Sequence, residues 1–192
     1  MNLLLIYAHP NPKSYTASVK ENILKNINSI HIVELIDLYA EKFNPILIVN
    51  ETQRRRDLIH DKEMERYRNS VQNADHIIFV YPVWWGGFPA ILKGFIERVL
   101  VSGFAYSFKE GKETNIFPKG LMKGKSVSFF CTMDSPWIVS LVDPGWLSMK
   151  FAIFKYCGFS KIQRYVLSGL KRKSLSEREA WLKKVSKVAA SF

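Results

Sequence analysis

The stretch His76-Ile77-Ile78-Phe79-Val80-Tyr81 runs directly into the loop Pro82-Val83-Trp84-Trp85-Gly86-Gly87-Phe88-Pro89, and it decides the fold. A strand at the centre of a parallel sheet is covered on both faces and therefore reads as a continuous apolar run. Apolar residues at helical spacing follow from Phe88 to Val101. This succession predicts a central strand, a loop and a helix, the unit from which α/β proteins are built.

Two further runs share this pattern, and two candidate strands are more polar. Residues 3–8 and 127–132 are uncharged and mostly apolar, whereas residues 30–35 and 162–167 alternate in part, as edge strands do. We therefore predict an α/β fold, a three-layer sandwich around a five-stranded parallel sheet in the order 2-1-3-4-5. Each crossover between parallel strands should be right-handed.

Helical patterns fill the intervals between these strands. One is predicted from Tyr15 to Ile30, and another begins at Ser174, where Glu177 completes a capping box. The core-facing residues predicted for this last helix are Ala180, Trp181, Val185, Val188 and Ala189. Residues 51–72 should become helical near their end, and residues 143–157 should form a helix that stops at Gly158.

Length, charge and cysteine usage bound the class of protein. The 192 residues fit one domain spanning 1–192. Of the net charge of +11, residues 150–192 contribute +9, which indicates either a surface field for an anionic small molecule or acidic partner, or a solubility feature. Two isolated cysteines, no basic N-terminal region and no long uncharged helix predict a cytoplasmic protein without a transmembrane segment.

Several functional classes lack their motifs. The sequence contains no GxGxxG, GxxxxGK[ST], HExxH or GxSxG pattern, and its histidines have no metal-ligand spacing, so we predict no metal site. The triplet Arg54-Arg55-Arg56 has no nucleic-acid recognition fold around it and is better explained as a solvated helix start. We therefore predict no nucleic-acid partner.

Ligands of such sheets bind beyond the carboxyl ends of the strands, where the strand order reverses. The loop after the first strand holds His9 and Lys13, and its Ser14, Tyr15 and Thr16 open a helix. Free N–H groups, hydroxyls and the helix dipole make this turn suitable for a phosphate, although a plain serine N-cap explains the pattern equally well.

The loops after the third and fourth strands supply aromatic and polar groups. Adjacent Trp84 and Trp85 followed by glycines suit a flat aromatic ligand lying close to the backbone, since at least one indole should face outward. The alternative is that both tryptophans plug the sheet end or a subunit contact. The segment Cys131 to Trp137 adds polar groups and a second aromatic wall, or is an ordinary polar turn.

Taken together, these motifs resemble the flavodoxin-like NAD(P)H:quinone oxidoreductases. The resemblance covers nearly the whole chain and is most specific over residues 82–99, PVWWGGFPAILKGFIERV. Supporting pieces are Ala8-His9-Pro10 with Ser14-Tyr15-Thr16, residues 37–45, Gly103-Phe104-Ala105-Tyr106, and the stretch from Thr132 through Phe159.

The resemblance implies roles for individual residues. It implies that His9, Ser14, Tyr15 and Thr16 hold a flavin phosphate, and that Thr132, Met133 and Asp134 contact the polar edge of the flavin ring. The residues along the ring itself would be Pro82, Val83, Trp84, Trp85 and Gly86. It further implies a homodimer in which Tyr106 and Phe108 reach the partner's substrate pocket.

Two departures from the family pattern bear on the chemistry. Many relatives have Gly-Gly where Met133-Asp134 stands, and the proton-donating Tyr and His of the quinone reductases align with Val139 and Gly145. No acid–base catalytic residue is assigned for this reason.

The expected activity is hydride transfer from NAD(P)H through bound flavin to a quinone-like acceptor, by a ping-pong mechanism. The flavin is expected to be FMN, with FAD as the alternative. Two other functions stay open, a one-electron flavodoxin-like carrier and a regulatory flavoprotein subunit docked peripherally on a membrane transporter.

Overall fold

In the computed structural model, residues 1–108 and 118–192 are described, and they build a parallel sheet with helices on both faces. The strands and helices are, in chain order, β1 (Asn2–Tyr7), α1 (Tyr15–Asn26), β2 (Ile32–Asp37), α2 (Glu65–Asn73), β3 (His76–Pro82), α3 (Ala90–Val99), β4 (Tyr106–Ser107), β5 (Lys119–Gly120), β6 (Ser126–Thr132), α4 (Trp137–Leu141), α5 (Pro144–Leu147), β7 (Lys161–Leu167) and α6 (Leu175–Ala189). A π-helix spans Ser148–Lys155, and short 3₁₀ turns span Arg55–His60, Lys62–Met64 and Leu170–Arg172.

The sheet has the order β2-β1-β3-β6-β7 with every pair parallel. Among the strands that the structure describes, β4 and β5 pair only with each other, with two residues in each strand. The other five strands form the main sheet, and they are in the predicted order 2-1-3-4-5. All seven residues of β3 are buried, whereas most of β2 is half-buried or exposed. The apolar runs therefore identified the central strands, and the more polar runs identified the edges.

Alternating strand residues face two separate apolar layers. Leu5, Tyr7, Val80 and Phe130 pack under α1 and α6. The opposite face of the sheet packs against α2, α3 and the helical segment before β7, and its aromatic centre contains Phe129, which is 4.9 Å from Phe154 between ring centroids. Both faces are covered, which is the condition that a parallel sheet requires.

Three predicted element boundaries were wrong by a few residues. Helix α1 ends at Asn26 rather than Ile30, because the Asn28 side chain accepts the Ile30 N–H and forms a turn, leaving Ile30 75% exposed. Strand β2 starts at Ile32, where it pairs with Asn2 of β1. Helix α3 starts at Ala90, because the residue before Pro89 is disfavoured from helical geometry.

The capping box of the last helix is confirmed. The Ser174 hydroxyl accepts the Glu177 N–H at 3.2 Å, and the Glu177 carboxylate accepts the Ser174 N–H at 2.8 Å. The prediction for Ala180 was wrong, since it is exposed and Leu182 packs against the sheet instead. Leu182 shares one helical face with Val185, whereas Ala180 lies on the opposite face.

Candidate functional site

The loops at the carboxyl edge of the sheet enclose one small cavity. Its volume is about 140 Å³. The lining residues come from the ends of β1, β3, β6 and β7, and they are His9, Ser14, Tyr15, Thr16, Pro82, Val83, Trp84, Thr132, Met133, Asp134 and Leu170. Ten of the twelve residues that the resemblance assigned to the flavin therefore share this cavity, while Trp85 and Gly86 lie outside its lining.

The start of α1 presents unpaired donors to this cavity. Ser14 is the N-cap, and its hydroxyl accepts the Ala17 N–H at 3.1 Å. Within the described residues, no acceptor contacts the backbone N–H groups of Tyr15 and Thr16. A helix N-terminus with free N–H groups attracts anions through both hydrogen bonds and the helix dipole.

His9 adds a further donor on the same side. Its Nδ1 accepts the Asn11 N–H at 3.0 Å, which assigns the ring proton of the neutral imidazole to Nε2. Burial lowers the pKa of His9 below 6.5, although the Asn11 contact counters this in part. The ring also packs edge-on against Trp84, with 5.7 Å between centroids. His9 is thus a neutral hydrogen-bond donor at neutral pH rather than a fixed charge.

The loop after β3 is a tight turn that exposes Trp85 fully and Trp84 in part. Trp84 and Gly87 exchange backbone hydrogen bonds of 3.2 and 3.0 Å, and the two residues between them have positive φ, 50° at Trp85 and 70° at Gly86. Positive φ at both central positions defines a type I′ turn. Trp85 is fully exposed, at 106% of its reference surface, so one indole does face outward as predicted. A bulky residue at positive φ is strained, and such strain clusters at functional sites.

The loop after β6 is tied to the loop after β7. Met133 is buried, and Asp134 is half-exposed with its carboxylate 3.0 Å from Lys171 Nζ and accepting the Lys171 N–H. Leu170, which sequence reasoning missed, lines the cavity beside them. It follows β7 directly, so the rule that ligands meet strand carboxyl ends would have found it.

These contacts sharpen the interpretation of the basic region, for which the sequence left open a surface field or a solubility feature. In the structure Lys171 and Arg172 contact Asp134, a lining residue of the cavity: Lys171 Nζ is 3.0 Å from its carboxylate, and Arg172 Nη2 donates to its carbonyl at 3.3 Å. Part of the positive charge therefore lies next to the site.

Neither residue at the aligned proton-donor positions carries an acid or base. Val139 is an exposed apolar residue of α4, and Gly145 packs against the Gly86 carbonyl so closely that a Cβ would overlap it.

Tyr106 and Phe108 lie away from this cavity. Their rings are 6.0 Å apart, and Tyr106 lines a different cavity of about 420 Å³ beside α3 and the π-helix. Within one chain they do not complete the site.

Residues 1–108 and 118–192 lack two kinds of feature, a metal-binding cluster and a membrane-spanning helix. No cluster of His, Cys, Asp or Glu in these ranges has the arrangement of a metal centre. None of the helices built from them combines the length and apolar character needed to cross a bilayer.

The fold and the site define a class of protein. The chain is a flavodoxin-like α/β protein whose sheet edge joins a helix start with free N–H groups to an aromatic turn. Residues 1–190 match the family Flavodoxin_2, described as a flavodoxin-like fold. The chain therefore belongs to this family, and the resemblance to the flavodoxin-like NAD(P)H:quinone oxidoreductases is confirmed.

Individual relatives agree with this assignment. The crystal structure of Smu.1420 from Streptococcus mutans is 40% identical, covers 100% of both chains and has a TM-score of 0.93. A Haemophilus influenzae protein named an uncharacterized NAD(P)H oxidoreductase is 39% identical over 70% of this chain and 65% of its own length. Ribosyldihydronicotinamide dehydrogenase (quinone) of Mus musculus is 27% identical over 94% of this chain and 87% of its own.

Proposed function

We propose that this protein is a flavin-dependent NAD(P)H oxidoreductase that passes a hydride to a quinone-like acceptor. One observation carries the proposal. A single cavity contains both the free N–H groups of Tyr15 and Thr16 and the start of the turn at Trp84. A flavin nucleotide has the matching chemistry, an anionic phosphate at one end and a flat aromatic ring at the other. The names of the Haemophilus influenzae and mouse relatives support the NAD(P)H and quinone parts.

The phosphate end of the nucleotide is assigned to the start of α1. The Ser14 and Thr16 hydroxyls, the free backbone N–H groups and His9 Nε2–H supply donors without a fixed positive charge. Lys171 and Arg172 add a positive field from the neighbouring loop. This arrangement binds a dianion through hydrogen bonds and a helix dipole.

The ring end is assigned to residues 82–86 with Thr132, Met133 and Asp134. Pro82, Val83 and Trp84 supply an apolar wall, and the backbone of the glycine-containing turn permits close approach. When bound, the flavin supplies hydride acceptance and donation, so the chain needs to orient the reactants and exclude water. One pocket used in turn by NAD(P)H and the acceptor gives ping-pong kinetics.

Purification tests the cofactor directly. We expect a yellow protein, or a colourless one that takes up FMN with a visible spectral shift, and extraction should release FMN rather than FAD. A colourless preparation that binds neither flavin would overturn the proposal.

Rapid mixing separates a reductase from a carrier. NADPH or NADH added anaerobically should bleach the flavin directly, and a quinone added afterwards should restore the colour. A one-electron carrier would accept electrons from a protein partner only, so absence of bleaching by either nucleotide would favour that alternative.

The same site is proposed to function in a homodimer. Tyr106 and Phe108 lie outside their own chain's cavity, and a contiguous segment exposes large apolar side chains. These residues are Trp137, Ile138, Leu141, Val142, Leu147 and Phe151. Apolar surface of this kind on a soluble chain marks an interface. Light scattering should give twice the chain mass of 22.2 kDa, and a monomer at micromolar concentration would contradict this part.

A further inference from the structure

A buried ion pair lies behind the wall of the candidate site. Arg164 of β7 places Nη2 2.5 Å from Asp143 Oδ2, and the two side chains are only 7% and 2% exposed. The guanidinium also stacks 5.0 Å from the centroid of the Trp146 ring. Neither residue lines the cavity, and the function proposed above uses neither of them.

Asp143 connects this pair to α5. Its Oδ1 accepts the Trp146 N–H at 3.1 Å and so caps the helix, while Oδ2 receives Arg164. Because Arg164 belongs to a strand of the sheet, both the position and the start of this short helix are fixed relative to β7. A helix of four residues has little stability of its own and depends on such contacts.

Helix α5 in turn supports the turn that carries Trp85. A Cβ at Gly145 would overlap the Gly86 carbonyl oxygen, so the backbone of the helix lies directly against the backbone of the turn. Gly86 is at positive φ and adjoins the strained Trp85. A strained turn persists only when its surroundings hold it in place.

We infer that Arg164 and Asp143 are positioning residues, which hold α5 against the Trp84–Gly87 turn and thereby set the wall on which the flavin ring and its reactants lie. The functional part of this inference rests on the proposed flavin site, whereas the structural part does not.

The cost of the pair supports a positioning role. A buried ion pair is often no more stabilising than well-packed apolar residues, because both charges lose their hydration. The Arg164 Nε is buried and has no partner among the described residues, which adds to that cost. The ion pair supplies a directional link between β7 and α5, which an apolar contact would not supply.

The main variant removes both charges and keeps the helix cap. In Arg164→Met/Asp143→Asn, the Asn carbonyl still accepts the Trp146 N–H, and Met still packs on the Trp146 ring. No unpaired charge is buried, so the protein should fold. Arg164→Lys keeps the positive charge but lacks the planar guanidinium, which reaches Asp143 while it stacks on Trp146. This variant should have an intermediate effect.

Arg98→Met is the matched control. Arg98 is also an almost fully buried arginine, paired with Asp61 at 2.9 Å and Glu63 at 2.8 Å, but it lies on α3 and donates to the Asn44 carbonyl. The glycine whose amide signal reports changes around Arg98 is Gly94, which packs against Pro45.

Amide NMR signals of the flavin-free protein provide the first measurement. The double variant should shift the Gly86 and Gly87 signals and leave Gly94 in place, whereas Arg98→Met should do the reverse. Unchanged Gly86 and Gly87 signals in the double variant, or equal shifts in the control, would overturn the inference.

Titration with FMN provides the second measurement. The double variant should bind FMN about tenfold more weakly, the equivalent of one ordinary hydrogen bond, and Arg98→Met should bind within about twofold of the original protein. If the original protein binds no FMN, the proposed function fails, and the glycine signals still decide the positioning role. Unaltered FMN affinity in a double variant with shifted glycine signals would overturn the functional part alone.

Discussion

The side-chain oxygens of Thr16 and Thr132 lie 2.9 Å apart, and they join the first turn of α1 to the last residue of β6. Both residues are buried, and both line the candidate cavity. This hydrogen bond connects the loop assigned to the phosphate with the loop assigned to the polar edge of the ring. The two halves of the site are therefore directly connected.

Thr16→Val should weaken both stability and flavin binding. The Thr132 hydroxyl would lose its partner while buried, which costs about 1–3 kcal/mol of unfolding free energy. FMN affinity should fall by about tenfold, since one donor near the phosphate is removed. Denaturant unfolding and FMN titration measure the two effects. Thr16→Ser keeps the hydroxyl and serves as the control, and a Thr16→Val protein equal to Thr16→Ser in both assays would contradict the assignment.

Ser14 variants separate the phosphate site from a plain helix cap. Ser14→Ala removes the cap and should cost about 1 kcal/mol of unfolding free energy. Ser14→Asp preserves the cap and the stability, but it places a negative charge where the phosphate is proposed to bind. FMN affinity should therefore fall more in the Asp variant than in the Ala variant. Full FMN affinity in Ser14→Asp would mean that Ser14 only caps α1.

Trp85→Gly should impair catalysis without a loss of stability. Glycine adopts the positive φ of this position without the cost of about 1–2 kcal/mol that an L-residue bears, although its greater freedom in the unfolded chain offsets part of the gain. The unfolding free energy should thus be unchanged or slightly higher. The KM for the acceptor should rise, because the exposed indole no longer shapes the pocket. A loss of stability greater than about 1 kcal/mol would contradict the backbone strain assigned to Trp85.

His76 should make stability depend on pH. Burial, with a smaller contribution from Lys161, lowers the pKa of His76 from 6.5 to about 4. In the unfolded chain this histidine gains a proton as the pH falls through 6.5, whereas in the folded protein it stays neutral down to about pH 4. The stabilisation is therefore complete above pH 6.5 and is lost between pH 6.5 and 4, with a total on the order of 3 kcal/mol.

His76→Gln isolates this contribution. Its unfolding free energy, measured by denaturant titration at pH 7, 5.5 and 4.5, should decline less steeply than that of the original protein. All other titratable groups are the same in both proteins. The difference between the two curves of unfolding free energy against pH therefore reports His76. Parallel curves would contradict the lowered pKa of His76.

The parts of the site that sequence reasoning found are those adjacent to strong strand signals. His9, Ser14 and Thr132 follow or adjoin apolar runs, and the carboxyl ends of parallel strands meet at one edge. Leu170 was missed because β7 is an edge strand, two strands away from β3, where the strand order reverses. The roles of Asp143 and Arg164 were also missed, since no local pattern relates two residues that meet through the packing of a helix on a sheet.

The sequence by itself determined the order of the strands, the central and edge positions and the loops that border the site, because these follow from the local alternation of apolar and polar residues. Tertiary structure decided which groups from distant loops touch, such as Thr16 with Thr132, Lys171 with Asp134 and Gly145 with Gly86. Contacts of this kind require the distances between elements to be set to within a few tenths of an ångström. Such distances are set by close packing of the whole core, to which every residue of the sheet contributes.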